Sequence, residues 1–200
     1  MERGIAYTWG STPEERLMSF PCDSYIDSSD EAYFRAVDVS APAQILFRWL
    51  CQLKIGSYSY DGLDYLERIF FNVQDSIPDR PSPKQLLPDV EDLTLGQRVM
   101  GIFKLVEFEQ NRHLTIVTDD RRAISMFGDI AATYVIIPVS ADTCRLILKG
   151  HIRYPRNPFW SWIRFFLPWG DLLMMRKQFL RLKNLAETQA NRSSEERIQV

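Results

Sequence analysis

The stretch DLLMMRKQFLRLKNLAE, Asp171 to Glu187, decides how the rest of the chain is read. Leu172, Met175, Phe179, Leu182 and Ala186 recur at steps of three and four, which makes an apolar stripe along one helix face. Leu173, Leu180 and Leu185 widen that stripe, while Arg176, Lys177, Arg181 and Lys183 mark the solvent side. Gly170 and Asp171 read as the helix start, because an aspartate caps free backbone N–H groups and suits the positive end of the helix dipole. From Gln189 onward the sequence is polar, so a fraying tail is expected over 189–200. A helix of about five turns needs a large apolar partner surface. Most of the chain before it reads as strands that supply one.

Glu31 to Val39 (EAYFRAVDV) is the first strand, with Tyr33, Arg35, Val37 and Val39 on one face and Phe34, Ala36 and Asp38 on the other. Ser40 as cap and Pro42 in the first turn then open a helix through about Lys54, with Ile45, Leu46, Trp49, Leu50 and Leu53 on its apolar face. Gly56 to Tyr65 is a turn rich in tyrosines and acids, followed by a second short helix through Phe71. Pro78, Pro81, Pro83 and Pro88 make Ser76 to Asp92 a surface loop.

From Gln97 the pattern becomes a meander. Gln97–Glu109 and Arg112–Thr118 are joined at Gln110-Asn111, and Arg121–Phe127 reads as a further short strand. Ile130–Val139 and Thr143–Tyr154 are joined around Ser140 to Asp142. In the last strand Cys144, Leu146, Leu148, Gly150 and Ile152 alternate with Arg145, Lys149, His151 and Arg153, one face buried and one wet. Residues 1–30 carry Tyr7, Trp9, Phe20 and Tyr25, too aromatic for a disordered tail. An arm lying on a single domain of residues 31–188 is expected, with a short helix at Pro13 to Leu17.

At 46% hydrophobic and 25% charged, with net charge −2, nothing advertises nucleic acid. Cys22, Cys51 and Cys144 are odd in number and lie in or near apolar runs, and His113 and His151 are the only histidines. No metal spacing results, so no metal and no cofactor is expected. The N-terminus lacks the apolar core of a signal peptide, and Phe159 to Trp169 is too short to span a bilayer. A cytoplasmic setting is the expectation. Walker, G-x-G-x-x-G, G-x-S-x-G and H-E-x-x-H patterns are absent.

Five segments carry a resemblance: YFRAVDVSAPAQILFRWLCQL (33–53), GQRVMGIFKLVEF (96–108), ATYVIIPV (132–139), CRLILKG (144–150) and GDLLMMRKQFLRLKNLAE (170–187). Their order resembles the START-like, or SRPBCC, superfamily, which includes Bet v 1-like proteins and polyketide cyclase/dehydrase relatives. It is also similar to the bacterial branch in which Ala-Pro follows the first strand and a Met-Met-Arg helix ends the domain. The resemblance spans about 31 to 187. It implies an α+β helix-grip fold, with a curved antiparallel sheet wrapped around the long C-terminal helix and two short helices after the first strand. It also implies a deep apolar cavity between sheet and helix. Periodicity does not distinguish a filled core from a hollow one.

Candidate site residues are polar or adaptable side chains on apolar faces. Arg35 could reach inward to an anionic or carbonyl group, although such an arginine more often lays its stem on apolar surface and meets water or a carboxylate. Tyr58, Tyr60 and Asp61, with Asp64, are the densest hydroxyl and carboxylate cluster and could orient a polar ligand group, or simply pack a turn. Met100, Met174 and Met175 could line a pocket adaptably, with Trp49, Phe103 and Phe179 beside them, or fill the core. His113 could serve as a base or face solvent.

Three functions follow. The first is a non-catalytic carrier or sensor for a small hydrophobic ligand such as a lipid, isoprenoid or polyketide-like molecule. The second is a cyclase or dehydratase using the same cavity, with Arg35, Tyr58, Tyr60 and Asp61 as polarising or proton-transfer groups. The third is a module that docks on a membrane surface or a protein through Phe159 to Trp169, where aromatics stand beside Arg153, Arg156 and Arg164.

Overall fold

The first strand pairs with the last. In the computed structural model, which describes residues 4–27, 29–59, 82–155 and 163–198, β1 (Glu31–Val39) lies antiparallel to β6 (Cys144–Arg153). Next to β6 come β5 (Asp129–Pro138), β4 (His113–Thr118), β3 (Phe103–Glu109) and β2 (Arg98–Val99), so the order is β1-β6-β5-β4-β3-β2 with every pair antiparallel. A register shift between Leu105 and Glu107 places a bulge in β3, a feature that bends a sheet. The continuous strand expected over Gln97–Glu109 is broken instead. Met100 and Gly101 adopt φ of 47° and 78°, a left-handed pair that no strand contains.

The helices lie to one side of the sheet or in the arm. After β1 comes α3 (Ala43–Cys51), then a 3₁₀ turn at Gln52–Lys54. Its N-cap is Pro42 and no side chain caps it. Ser40, expected in that role, donates its backbone N–H to Glu187 Oε1 at 2.8 Å. The second short helix, through Phe71, lies outside the described residues. Arg121–Phe127, read as a strand, is a helix (α4): Asp120 accepts from the N–H groups of Arg122 and Ala123, and Gly128 ends it at φ 95°. Short apolar runs are ambiguous between strand and helix, and here the cap and the glycine decide.

The C-terminal helix, α5, runs from Ile163 to Ile198. It starts well before Gly170 and Asp171, and Pro168 sits inside it. It also continues through the polar residues after Gln189, where Ser194 Oγ bonds back to the Ala190 carbonyl at 3.0 Å. Leu172, Phe179, Leu182 and Ala186 are buried as the periodicity requires, whereas Leu173 and Leu180 are exposed. Among the described residues no helix is long and apolar enough to cross a membrane.

One face of the sheet meets α3 and α5, where Leu46, Leu50, Leu105, Ile116, Leu146 and Leu182 form the main core. Burying one such leucine stabilises the fold by roughly 1.5–3 kcal/mol. The opposite face was expected to be wet around Lys149 and His151. The N-terminal arm covers it. The arm contains α1 (Ile5–Thr8), α2 (Pro13–Leu17) and a 3₁₀ turn at Pro21–Ser24. Phe20, Cys22 and Ile26 pack on Phe34, Ala36 and Ile147. Lys149 lies 5.4 Å from the Phe20 ring and 2.7 Å from Asp23 Oδ1.

Candidate functional site

The interior between sheet and α5 contains polar groups on three elements that meet. Ala132, Tyr134 and Ile136 alternate onto the inner face of β5. On α5, Gln178 is three residues past Met175 and four before Leu182, so it faces the same way as the buried stripe. The Tyr134 hydroxyl donates to Gln178 Oε1 at 2.7 Å. The Gln178 amide donates to the Ser57 carbonyl at 2.5 Å and to Met100 Sδ at 3.2 Å. The left-handed backbone at Met100 brings its thioether to this point. Phe179 packs against Tyr134 with ring centroids 6.1 Å apart. Phe103 and Met175 are half-buried against the same core. Tyr134 and Gln178 were not anticipated as site residues, although strand alternation and helix spacing place both inward.

The phenol and thiols of this interior are pushed towards neutrality. Burial raises the Tyr134 phenol far above its ordinary value, with Asp171 adding to the effect and Gln178 opposing it. Burial likewise pushes Cys51 up to about 12 and Cys144 up to about 11. Such groups hydrogen-bond or pack, but they do not exchange protons near neutral pH.

Arg35 points inward and is completely buried. Its Nη1 donates to the Phe34 carbonyl and its Nη2 to the Ala6 carbonyl, both at 2.8 Å, and Nη2 also meets Asp171 Oδ2. The guanidinium therefore ties β1 to the arm and to α5. Only its Nε has no partner among the described residues.

Tyr58, next in sequence to the Ser57 whose carbonyl holds Gln178, packs on Trp49 with the rings edge to face at 6.1 Å. The Tyr58 hydroxyl accepts from Gln52 Nε2 and donates to the Pro83 carbonyl at 2.9 Å. Gln52 Oε1 also accepts from the Leu87 N–H at 2.9 Å, so this pair fastens the 82–87 loop to the end of α3. Tyr60 and Asp61 lie outside the described residues. His113 is on the arm side of the sheet, 3.2 Å from Glu107 Oε1, away from the interior.

A second polar group lies where α5 begins. The hydroxyls of Tyr33 and Tyr154 are 2.5 Å apart, and both reach Glu31 Oε2, at 3.0 and 2.8 Å. Burial, and then their mutual contact and the Glu31 charge, raises the Tyr33 phenol. Cys22, Asp23 and His151 place ligand-type atoms within 4.8 Å of one another. However, the Lys149 ammonium already occupies the Asp23 carboxylate, and burial raises the Cys22 thiol to about 11. That trio reads as a tether for the arm.

No family model and no curated protein matches this sequence. Among solved structures the chain is similar to BexL, a di-domain aromatase/cyclase of the BE-7585A biosynthetic pathway, at 15% identity and a TM-score of 0.44. The match covers 78% of this chain and 46% of BexL, so the chain spans about half of that protein's length. It is similar to the Zhui aromatase/cyclase from Streptomyces sp. R1128 at 10% identity and a TM-score of 0.44, covering 81% and 94% of the two chains. It is also similar to norcoclaurine synthase from Thalictrum flavum, solved with dopamine and hydroxybenzaldehyde, at 11% identity and a TM-score of 0.40, covering 78% and 85%. The chain's own topology, a six-stranded antiparallel sheet with a helix after the first strand and a long C-terminal helix against its inner face, is the helix-grip arrangement.

Proposed function

We propose that the chain binds a small, mostly hydrophobic ligand between the sheet and α5 as a carrier or sensor, without catalysing a reaction. The observation that carries this reading is the neutral pair Tyr134–Gln178, set among Met100, Phe103, Met175 and Phe179. Burying a phenol and an amide in hydrocarbon is costly unless each finds a partner. A neutral donor and acceptor in an apolar shell suits one neutral polar group, a hydroxyl or carbonyl, on an otherwise apolar molecule. The thioether of Met100 adapts to the ligand's shape.

A base or nucleophile would need an ionisable group poised near neutral pH. The interior phenol and thiols are held far from that range, and the Asp171 carboxyl, raised by burial, is tied up by Arg35, which favours binding over turnover. Native mass spectrometry of the protein purified from its own host, followed by solvent extraction, tests the reading. A co-purifying apolar molecule whose retention falls in Gln178→Leu supports it. Absence of any bound molecule, together with no uptake of added apolar alcohols or ketones, overturns it.

A further inference from the structure

The start of α5 shows more apolar surface than its packing uses. Phe165, Trp169 and Leu173 are 78%, 56% and 59% exposed. They stand four residues apart, so they form a single ridge along the outer side of the helix. A lone exposed leucine needs no explanation, but a contiguous ridge of large apolar side chains marks a contact surface. The helix holds this ridge rigidly, because Leu167 packs on the Tyr33, Ile152 and Tyr154 cluster and Arg164 stacks on the Tyr154 ring at 4.8 Å.

Charge narrows the choice of partner. Between Ile163 and Lys177 the helix carries Arg176, Lys177 and Arg164, the last of which also faces Asp30 at 3.8 Å, against the single acid Asp171. The Asp171 carboxylate is already engaged by the buried Arg35. The whole chain is at −2, so this positive character is local. Arg176 is exposed one turn beyond Leu173 on the same side.

We infer that this ridge seats the protein on an anionic lipid bilayer. The first turns of α5 lie in the interface plane, with Phe165, Trp169 and Leu173 among the upper acyl chains and the basic residues at the headgroups. No described helix can cross the bilayer, so the contact is peripheral. It is independent of whether the interior takes a ligand.

Flotation of the intact chain with phosphatidylcholine vesicles, with and without phosphatidylglycerol, tests this. The expected result is binding to the anionic vesicles that weakens with added salt. The double variant Phe165→Ser/Trp169→Ser should weaken it by roughly tenfold or more. Both side chains are exposed, so an unchanged thermal melt is expected; should that variant fail to fold, Leu173→Ser alone gives the same readout. No binding to either vesicle, or binding unchanged by the substitutions, overturns the inference. So does light scattering showing a dimer that the double variant abolishes while vesicle binding is absent.

Discussion

The guanidinium of Arg35 and the carboxylate of Asp171 form an ion pair across 136 positions of the chain, linking the first strand to the last helix. Asp171, which the sequence suggests as a helix cap, is instead in its third turn. Removing one partner of a buried pair strands the other, at a cost of about 3–5 kcal/mol. Arg35→Ala should lower unfolding stability in urea by that order, since it also releases the Phe34 and Ala6 carbonyls. Asp171→Asn leaves the fully buried Arg35 guanidinium without its counter-charge, so a loss of the same order is expected, eased only by the hydrogen bond an amide still accepts. A loss below about 1 kcal/mol in either variant would argue against this account.

Tyr134→Phe removes the hydroxyl that satisfies Gln178 Oε1. An unsatisfied buried acceptor costs about 1–3 kcal/mol. The double variant Tyr134→Phe/Gln178→Leu should recover part of that stability and still lose affinity for any ligand carrying a hydroxyl or carbonyl. Measuring both quantities separates support of the fold from recognition.

The arm's attachment depends on pH. Burial raises the Asp23 carboxyl, but the Lys149 ammonium, the Phe20 N–H and His151 outweigh it and hold it below its ordinary value. Its stabilisation is therefore fully present above the unfolded value of about 3.9 and is lost as pH falls through the lower folded value. The protection factors of the Phe20 and Cys22 to Ser24 amides, corrected for the intrinsic pH dependence of exchange, should fall as the solution is acidified from about pH 5 towards pH 2. In Asp23→Asn the protection should already be low and depend less on pH.

Gly128 closes α4 at φ 95°, and a Cβ there would lie 2.0 Å from the Arg153 carbonyl oxygen. Gly128→Ala adds a left-handed strain of about 1–2 kcal/mol to a clash with the backbone. A fall in melting temperature of at least several degrees is expected, while Gly96→Ala, with open space around it, should suffer only the backbone strain.

The sheet and the packing stripe of α5 were legible because their periods differ and each kept its own for long enough. The beginning of α5 was not. Pro168, Trp169 and Gly170 read as an interruption, yet Leu167 packs against Tyr33 and Ile152 and draws the helix backwards past them. The covering of Lys149 and His151 was equally hidden, since nothing in strand alternation says that Asp23 will arrive to meet them. At the candidate site Met100 and Phe179 were anticipated, but Gln178 was not singled out, although its spacing from Met175 and Leu182 places it on the buried stripe. Tyr134 carries no charge and sits among Ala132 and Ile136 like any core aromatic.

The place of β1 in the sheet has a consequence for how the chain acquires its structure. β1 is made early, yet its partner is β6 alone, and Val39 cannot find Cys144 until nearly the whole sheet has been translated. The meander β3 to β6 can zip up by local hairpins, whereas the first strand, its arm and Arg35 must wait for a closure of high sequence separation. On the ribosome the edge of β1 that pairs with β6 stays open for most of synthesis, the interval in which such a strand is most exposed to mispairing. A chain stopped after β5 would hold the first strand with nothing to join.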